Sequence, residues 1–142
     1  MSQADVDVVI DQFEAVNERD FGRAMDHYAE DVVLVVPQGE NLQNPGIYEG
    51  KQAVGEWFGD WFRTFDRDYR FEIKEAREVG GVVFLFATHG GHGRLSGAPV
   101  SGENAYLYRV RDRRISRVGF FATRDDALEA ASLPEWSEAE TD

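Results

Sequence analysis

An α+β fold, with helices segregated to one side of a bent and mainly antiparallel sheet, is what the sequence predicts. Three observations carry it. Helical periodicity dominates up to residue 65, interrupted by one β-branched run. From residue 69 the apolar period changes to two. Turn signals then punctuate the second half at Gly80-Gly81, at LSGAP and at Asp112-Arg113. A chain of 142 residues suffices for one domain and is too short for two. Its 42% hydrophobic and 13% aromatic content, with 4 Pro, argues against disorder over most of the length.

The elements follow in order. Val6, Val9, Ile10, Phe13 and Val16 recur at helical spacing, and Ser2 with Asp5 three residues on reads as the N-terminal cap. Asp20 opens a short second helix with Phe21, Ala24, Met25 and Tyr28 on one side, Tyr28 as core. VVLVV, ended by Pro37, reads as a strand, and QGENLQNPG as a loop. Val54, Trp57, Phe58, Trp61, Phe62 and Phe65 form the strongest helical stripe in the chain. Tyr69, Phe71 and Ile73 then alternate with charged residues in a strand that turns at Gly80-Gly81. Val82 to Ala87 is apolar on both faces, and Gly90, Gly91 and Gly93 are expected to bend or bulge the same strand. Val100 to Arg111 and Arg114 to Ala122 are two more strands, and DDALEAA is a last short helix. The domain is expected to span 1–131, with 132–142 as a mobile acidic tail.

Charge and composition exclude several classes. Lys+Arg number 15 against Asp+Glu 27, a net charge of −12, which repels phosphate backbones and anionic lipid; no nucleic acid or membrane partner is expected. The charge is uneven: residues 1–50 hold 11 acids and 2 bases, 51–124 hold 9 and 13, and 125–142 hold 7 acids and no base. No apolar run approaches the roughly 18 residues of a membrane span. The acidic start, MSQADVDVVIDQ, lacks the basic region of an export signal, so a cytoplasmic location is expected. Cysteine is absent, which removes disulfides, thiolate nucleophiles and thiolate metal ligands.

Helices over the concave side of a bent sheet leave a cavity between the layers, a usual place for a small ligand. Val83, Leu85 and Ala87 alternate with Val82, Phe84 and Phe86, so both sheet faces are expected to be covered. One face meets the helices, and the other predicts a homodimer through the sheet.

This order of elements, with the texture of FEAVNERDFGRAMDHYAEDVVLVVP, IYEGKQAVGEWFGDWF and YLYRVRDRRISRVGFFATRDDALEA, resembles the nuclear transport factor 2-like superfamily, in its SnoaL-like, ketosteroid-isomerase-like branch. The resemblance covers roughly residues 5–131. It implies a cone-shaped α+β barrel, three N-terminal helices on the concave face, an apolar pocket at the open end and often a dimer. It is specific for fold and weak for function, because the superfamily holds isomerases, dehydratases, cyclases, epoxide hydrolases and non-catalytic scaffolds. Carried over by position, the isomerase base falls at Val36, the first-helix oxyanion donor near Gln12 and the second donor at Tyr106. Proton abstraction next to a carbonyl needs a base as well as donors. A donor survives here and the base does not. The family pattern nominates Arg117 for an inward position. In the last strand Gly119, Phe121 and Thr123 stand where many members have acid, Tyr and Asp, which implies a more apolar pocket with Phe121 in its wall.

Each candidate has a plainer structural reading beside it. Asn104, Tyr106 and Tyr108 share one strand face, which on the resemblance lines the pocket; a phenol and an amide there suit a ligand's carbonyl or phenolic oxygen. Equally, they are strand-forming residues satisfied by backbone or water. Trp57 and Trp61, four apart on a helix, offer flat walls to a polycyclic ligand or are simply core. His89 shares its face with Val83, Leu85 and Ala87 and titrates near neutrality, so it is the candidate acid/base, or a satisfied core histidine. His89 and His92 lie on opposite strand faces with no Cys or acid to complete a set, so no metal is expected. GGHG leads into strand rather than a helix N-terminus, which is wrong for a phosphate cradle. Arg109, Arg111, Arg113 and Arg114 read as a solvated strand end. The expectation is a pocket protein for a small, largely apolar, oxygenated ligand, with no cofactor. If catalytic, it promotes isomerisation, dehydration or cyclisation through Tyr106 as donor, Arg117 as electrostatic support and His89 as base. The alternative is a non-catalytic binding or assembly module on the same scaffold.

Overall fold

A computed structural model describes residues 2–38 and 44–137. Helices α1 (Ser2–Asn17) and α2 (Phe21–Asp26) are followed by strands β1 (Tyr28–Val36) and β2 (Gly46–Glu49) and by helix α3 (Lys51–Arg63). Strands β3 (Arg70–Val79), β4 (Val82–His92), β5 (Pro99–Arg111) and β6 (Arg114–Phe121) come next, then α4 (Arg124–Ala130) and α5 (Pro134–Ser137). One six-stranded sheet runs in the order β2-β1-β6-β5-β4-β3. It is antiparallel except where β1 meets β6, so it is mixed, and it stays open between β2 and β3. The α+β architecture expected from the sequence is present, as a cone rather than a closed barrel. Among the described residues no helix is long and apolar enough to cross a membrane.

Local chemistry explains the boundaries. α1 already includes Ser2, whose side chain, with any capping role, lies outside the described residues. After α1 the chain reverses at Arg19, a non-glycine residue at φ 62°. Its guanidinium donates to the carbonyls of Val16 (3.2 Å), Arg67 (3.3 Å) and Tyr69 (2.6 Å), which offsets the backbone cost. Asp20 caps α2 by accepting from the Arg23 amide at 3.2 Å. The Gly80-Gly81 turn has both φ values positive, 60° and 88°, and Asp112-Arg113 follows suit at 51° and 64°; this is what a two-residue hairpin needs. β2 lies where the sequence suggests only loop and turn. GIYE has no alternating pattern and is mostly exposed, and it is a strand because β1 offers it an unpaired edge, Val33 facing Glu49 through Val36 facing Gly46. Residues 39–43 of the expected loop lie outside the described residues.

The expected bulge at Gly90, Gly91 and Gly93 is absent. β4 pairs with β5 without a break from Val83 opposite Tyr108 to His92 opposite Pro99. Register shifts fall instead between Ile73 and Glu75, between Arg109 and Val110, and between Tyr28 and Val33, and these bend the sheet. Gly91 serves close approach: a Cβ there would stand 2.6 Å from the Tyr69 Cα.

The inner face of the sheet carries the main core. Val9, Phe13 and Val16 of α1, and Val54, Trp57 and Trp61 of α3, pack against Leu34, Leu85, Tyr106 and Phe120. The outer face has its own core, in which Val82, Phe84, Ala105 and Leu107 meet Ala127, Ala131 and Trp136 from the C-terminal segment. The second covered face that suggested a homodimer is therefore covered, in this region, by α4 and α5 of the same chain. Packing also passes the boundary expected at residue 131, since Trp136 is buried. It lies over Gly119, where a Cβ would meet the indole at 2.6 Å, and the Arg117 guanidinium stacks 5.0 Å from its ring centre. The rest of the expected tail, 138–142, lies outside the described residues. Glu75 ties β3 to α4 through paired bonds from Arg124, both 2.9 Å; Arg124 and Arg77 together hold its carboxyl down at about 2.

Candidate functional site

Residues 104, 106 and 108 alternate along β5 toward the inner face, so Asn104, Tyr106 and Tyr108 sit in one row, all buried. Phe13 of α1 closes over Tyr106 and Tyr108, and Phe120 from β6 meets Tyr106 edge to face at 4.6 Å. Between these groups and α3 lies a narrow cavity of about 20 Å³, walled by Tyr106, Tyr108, Phe120, Trp57, Trp61 and neighbouring rings. The Tyr106 hydroxyl is buried there with no hydrogen-bond partner in the protein. Burial pushes its ionisation well above the ordinary tyrosine value, so it remains a proton donor.

A wider groove of about 570 Å³ adjoins this cavity between the α1–α2 turn and α3. Gln12, Val16, Phe58 and Phe62 line both spaces, so the last two rings form the partition. Gln12 is a polar residue in the apolar stripe of α1. The Tyr28 hydroxyl donates to its Oε1 at 2.8 Å, and desolvation keeps Tyr28 protonated. That bond engages the amide oxygen of a residue that lines both spaces. Phe13, Phe58, Phe62, Phe71 and Phe120 are wall residues that the sequence offered only as core or strand residues, whereas Gln12 stands where the resemblance puts the first-helix oxyanion donor.

His89 is buried on the inner face, as its alternation with Val83, Leu85 and Ala87 suggests. It lines neither space. Trp61 Nε1 donates to the Tyr69 hydroxyl at 3.1 Å, which leaves the hydroxyl proton for His89 Nδ1 at 2.9 Å. The neutral ring then carries its proton on Nε2, which has no hydrogen-bond partner. In that tautomer the free corner of the ring is a donor, not the base the sequence suggested. Asn104 lies beside it, and neither of its side-chain polar atoms is in hydrogen-bond geometry. Burial lowers the affinity of His89 for a second proton, with the Asn104 amide opposing. A depressed value means that the unfolded chain binds more protons, so stability is full above the ordinary 6.5 and falls as pH drops through the folded value. Urea unfolding between about pH 7 and about pH 5 is expected to show this slope, and His89→Phe is expected to lose it; equal slopes would refute the assignment.

Two nominations fall on the other side of the sheet. On β6 it is Val118 and Phe120 that face inward, so Arg117 and Phe121 point to the outer core with Trp136. The inward position expected from the family pattern is displaced by one residue, and one residue in a strand exchanges faces. Val36 is buried on the inner face of β1 and supplies no carboxylate. His92 is exposed and pairs with Asp68 at 2.5 Å, apart from His89. No three His, Asp or Glu groups converge among the described residues. Within the inner cavity, the described lining contains no carboxylate and no imidazole.

Residues 9–118 match the SnoaL-like domain family. Among solved structures, a candidate SnoaL-like polyketide cyclase from Jannaschia sp. superposes with a TM-score of 0.75 at 14% identity, over 94% of this chain and 95% of that one. TerC co-crystallised with polyporic acid gives 0.71 at 18% identity, over 89% of this chain and 96% of that one. An NTF2-like protein of unknown function from Burkholderia pseudomallei gives 0.71 at 18% identity, over 92% and 98%. No curated protein matches the sequence.

Proposed function

The chain belongs to the SnoaL-like family, and on that premise we propose that it is a pocket protein for a small, largely apolar ligand carrying an oxygen. The observation that supports this most is the Tyr106 hydroxyl: protonated, buried in an aromatic wall and without a protein partner. An unpaired buried donor costs stability, and a ligand oxygen seated against it recovers that cost. Trp57, Trp61 and Tyr108 supply flat walls to a ring system once Phe58 and Phe62 part, since the cavity of about 20 Å³ between them otherwise takes only a small group. Polyporic acid in the TerC crystal agrees with a small-molecule site on this fold.

If the bound molecule reacts, the change is a cofactor-independent isomerisation, dehydration or cyclisation in which Tyr106 donates to a developing oxyanion. His89 and Asn104 are buried polar groups that line neither space. A second reading, non-catalytic binding or assembly on the same scaffold, is favoured by the absence of any carboxylate or imidazole from the described inner lining. A cytoplasmic location goes with either. Pairing of two chains through the sheet is left to the outer surface that α4 and α5 do not cover, beside half-buried Phe86; a one-chain mass by light scattering at micromolar concentration would remove it.

Titration with a fluorescent polycyclic phenol tests the pocket. Tight binding with a shifted phenol ionisation is expected, since the wall offers donors in a desolvated setting. Absence of binding to folded protein would move the assignment to the assembly module.

A further inference from the structure

The wider groove has an electrostatic character opposite to that of the molecule around it. The chain has a net charge of −12, yet four arginines line this groove, Arg19, Arg63, Arg67 and Arg94, against the single carboxylate of Asp66. They come from three separate places: the end of α1, the C-terminal end of α3 with the segment after it, and the β4–β5 turn. The backbone holds these places together, since Arg94 N donates to Thr64 O at 3.0 Å and the Arg19 guanidinium reaches the Arg67 carbonyl. Arg63 is paired with Asp60, an ordinary i, i+3 contact at a helix end. Arg19 is bound to carbonyls and lies 5.2 Å from the Phe62 ring centre. Arg67 and Arg94 are exposed, and among the described residues neither side chain meets a carboxylate. Two planar cations are thus left over beside an apolar floor of Phe21, Met25, Phe58, Phe62 and Phe65. Gln12, buried and bonded through its Oε1 to the Tyr28 hydroxyl, lines the same groove.

We propose that the groove selects an aromatic anion, an aryl carboxylate or comparably acidic phenol, whose charge rests on Arg67 and Arg94 and whose ring system lies on the phenylalanine floor toward Gln12. Guanidinium groups suit this role because they bind planar carboxylates through paired donors and tolerate an aromatic neighbour. The positive collar also gives such a ligand a local attraction in a molecule that otherwise repels it. This rests on the pocket reading and adds the ligand's charge to it.

The test is a matched pair of probes on the full chain, 6-hydroxy-2-naphthoate and its neutral primary amide, titrated by ligand fluorescence. The acid is expected to bind roughly tenfold more tightly than the amide. Arg67→Gln/Arg94→Gln is expected to abolish that preference while leaving the amide's affinity unchanged, and raising NaCl from roughly 0.05 M to about 0.5 M to reduce it. Both substituted side chains are exposed, so the variant should fold, and circular dichroism checks that it does. Equal affinity for acid and amide, or a preference that survives the double substitution, would overturn the anion assignment while leaving the pocket intact. Failure of both probes to bind folded protein would overturn the pocket and this inference together.

Discussion

Tyr106→Phe is expected to make the free protein more stable and the liganded protein weaker. The hydroxyl has no protein partner and is fully desolvated. Leaving such a group buried costs about 1–3 kcal/mol, and deleting only its oxygen removes that cost without disturbing the ring contacts with Phe13 and Phe120. Urea unfolding is therefore expected to show a gain of about 1 kcal/mol or more. Affinity for a phenolic or carbonyl ligand is expected to fall by about tenfold, the value of one hydrogen bond in a dry site. The two signs together are diagnostic. A loss of stability would mean that the hydroxyl is satisfied in the folded chain, and unchanged affinity would remove Tyr106 from the site.

Phe13→Ala carries the largest expected loss of stability. Phe13 is 4% exposed. It meets Phe71, Tyr106 and Tyr108 edge to face, with ring centres 5.3, 5.2 and 6.2 Å away. With Val9 and Val16 it closes α1 over the sheet, and its ring reaches both β3 and β5. Truncating a buried Phe costs about 3–5 kcal/mol, a large share of the 5–15 kcal/mol typical of a domain. The space it leaves joins the small inner cavity, whose wall it forms. An apolar cavity of that kind takes up small aromatic molecules, so benzene is expected to recover part of the lost melting temperature. Phe13→Leu, which keeps most of the volume, should lose far less. A loss below about 1 kcal/mol for the alanine variant would show that α1 is held by other contacts.

Which parts of this were legible in the sequence follows from the range of the forces involved. The helical stripes of α1 and α3 and the turns at Gly80-Gly81 and Asp112-Arg113 are local, set by side-chain period and by φ preference. The alternation of Asn104, Tyr106 and Tyr108 is equally local, and it placed the row on one face correctly. β2 was not legible, because four mostly exposed residues become a strand only when β1 presents an edge. Arg117 and Phe121 went astray because the inward face of β6 depends on its register with β1 and β5, and a one-residue offset exchanges faces. His89 was placed on the correct face. Its partner, the Tyr69 hydroxyl, and Trp61 behind that are brought to it by the fold alone.

The sequence by itself determined the fold class, the aromatic character of the interior and the loss of a carboxylate at position 36, since these reside in periodicity, composition and residue identity. Tertiary structure alone decided that the inner cavity is nearly filled and that α4 and α5 cover much of the outer face. It also decided that Gln12 shares a wall with Phe58 and Phe62, and that arginines from three segments meet over one groove. The physical reason is distance along the chain. Residues 12, 67 and 94 have no local interaction that ties them together, and only the closing of α1 and α3 over the bent sheet brings them to a common surface.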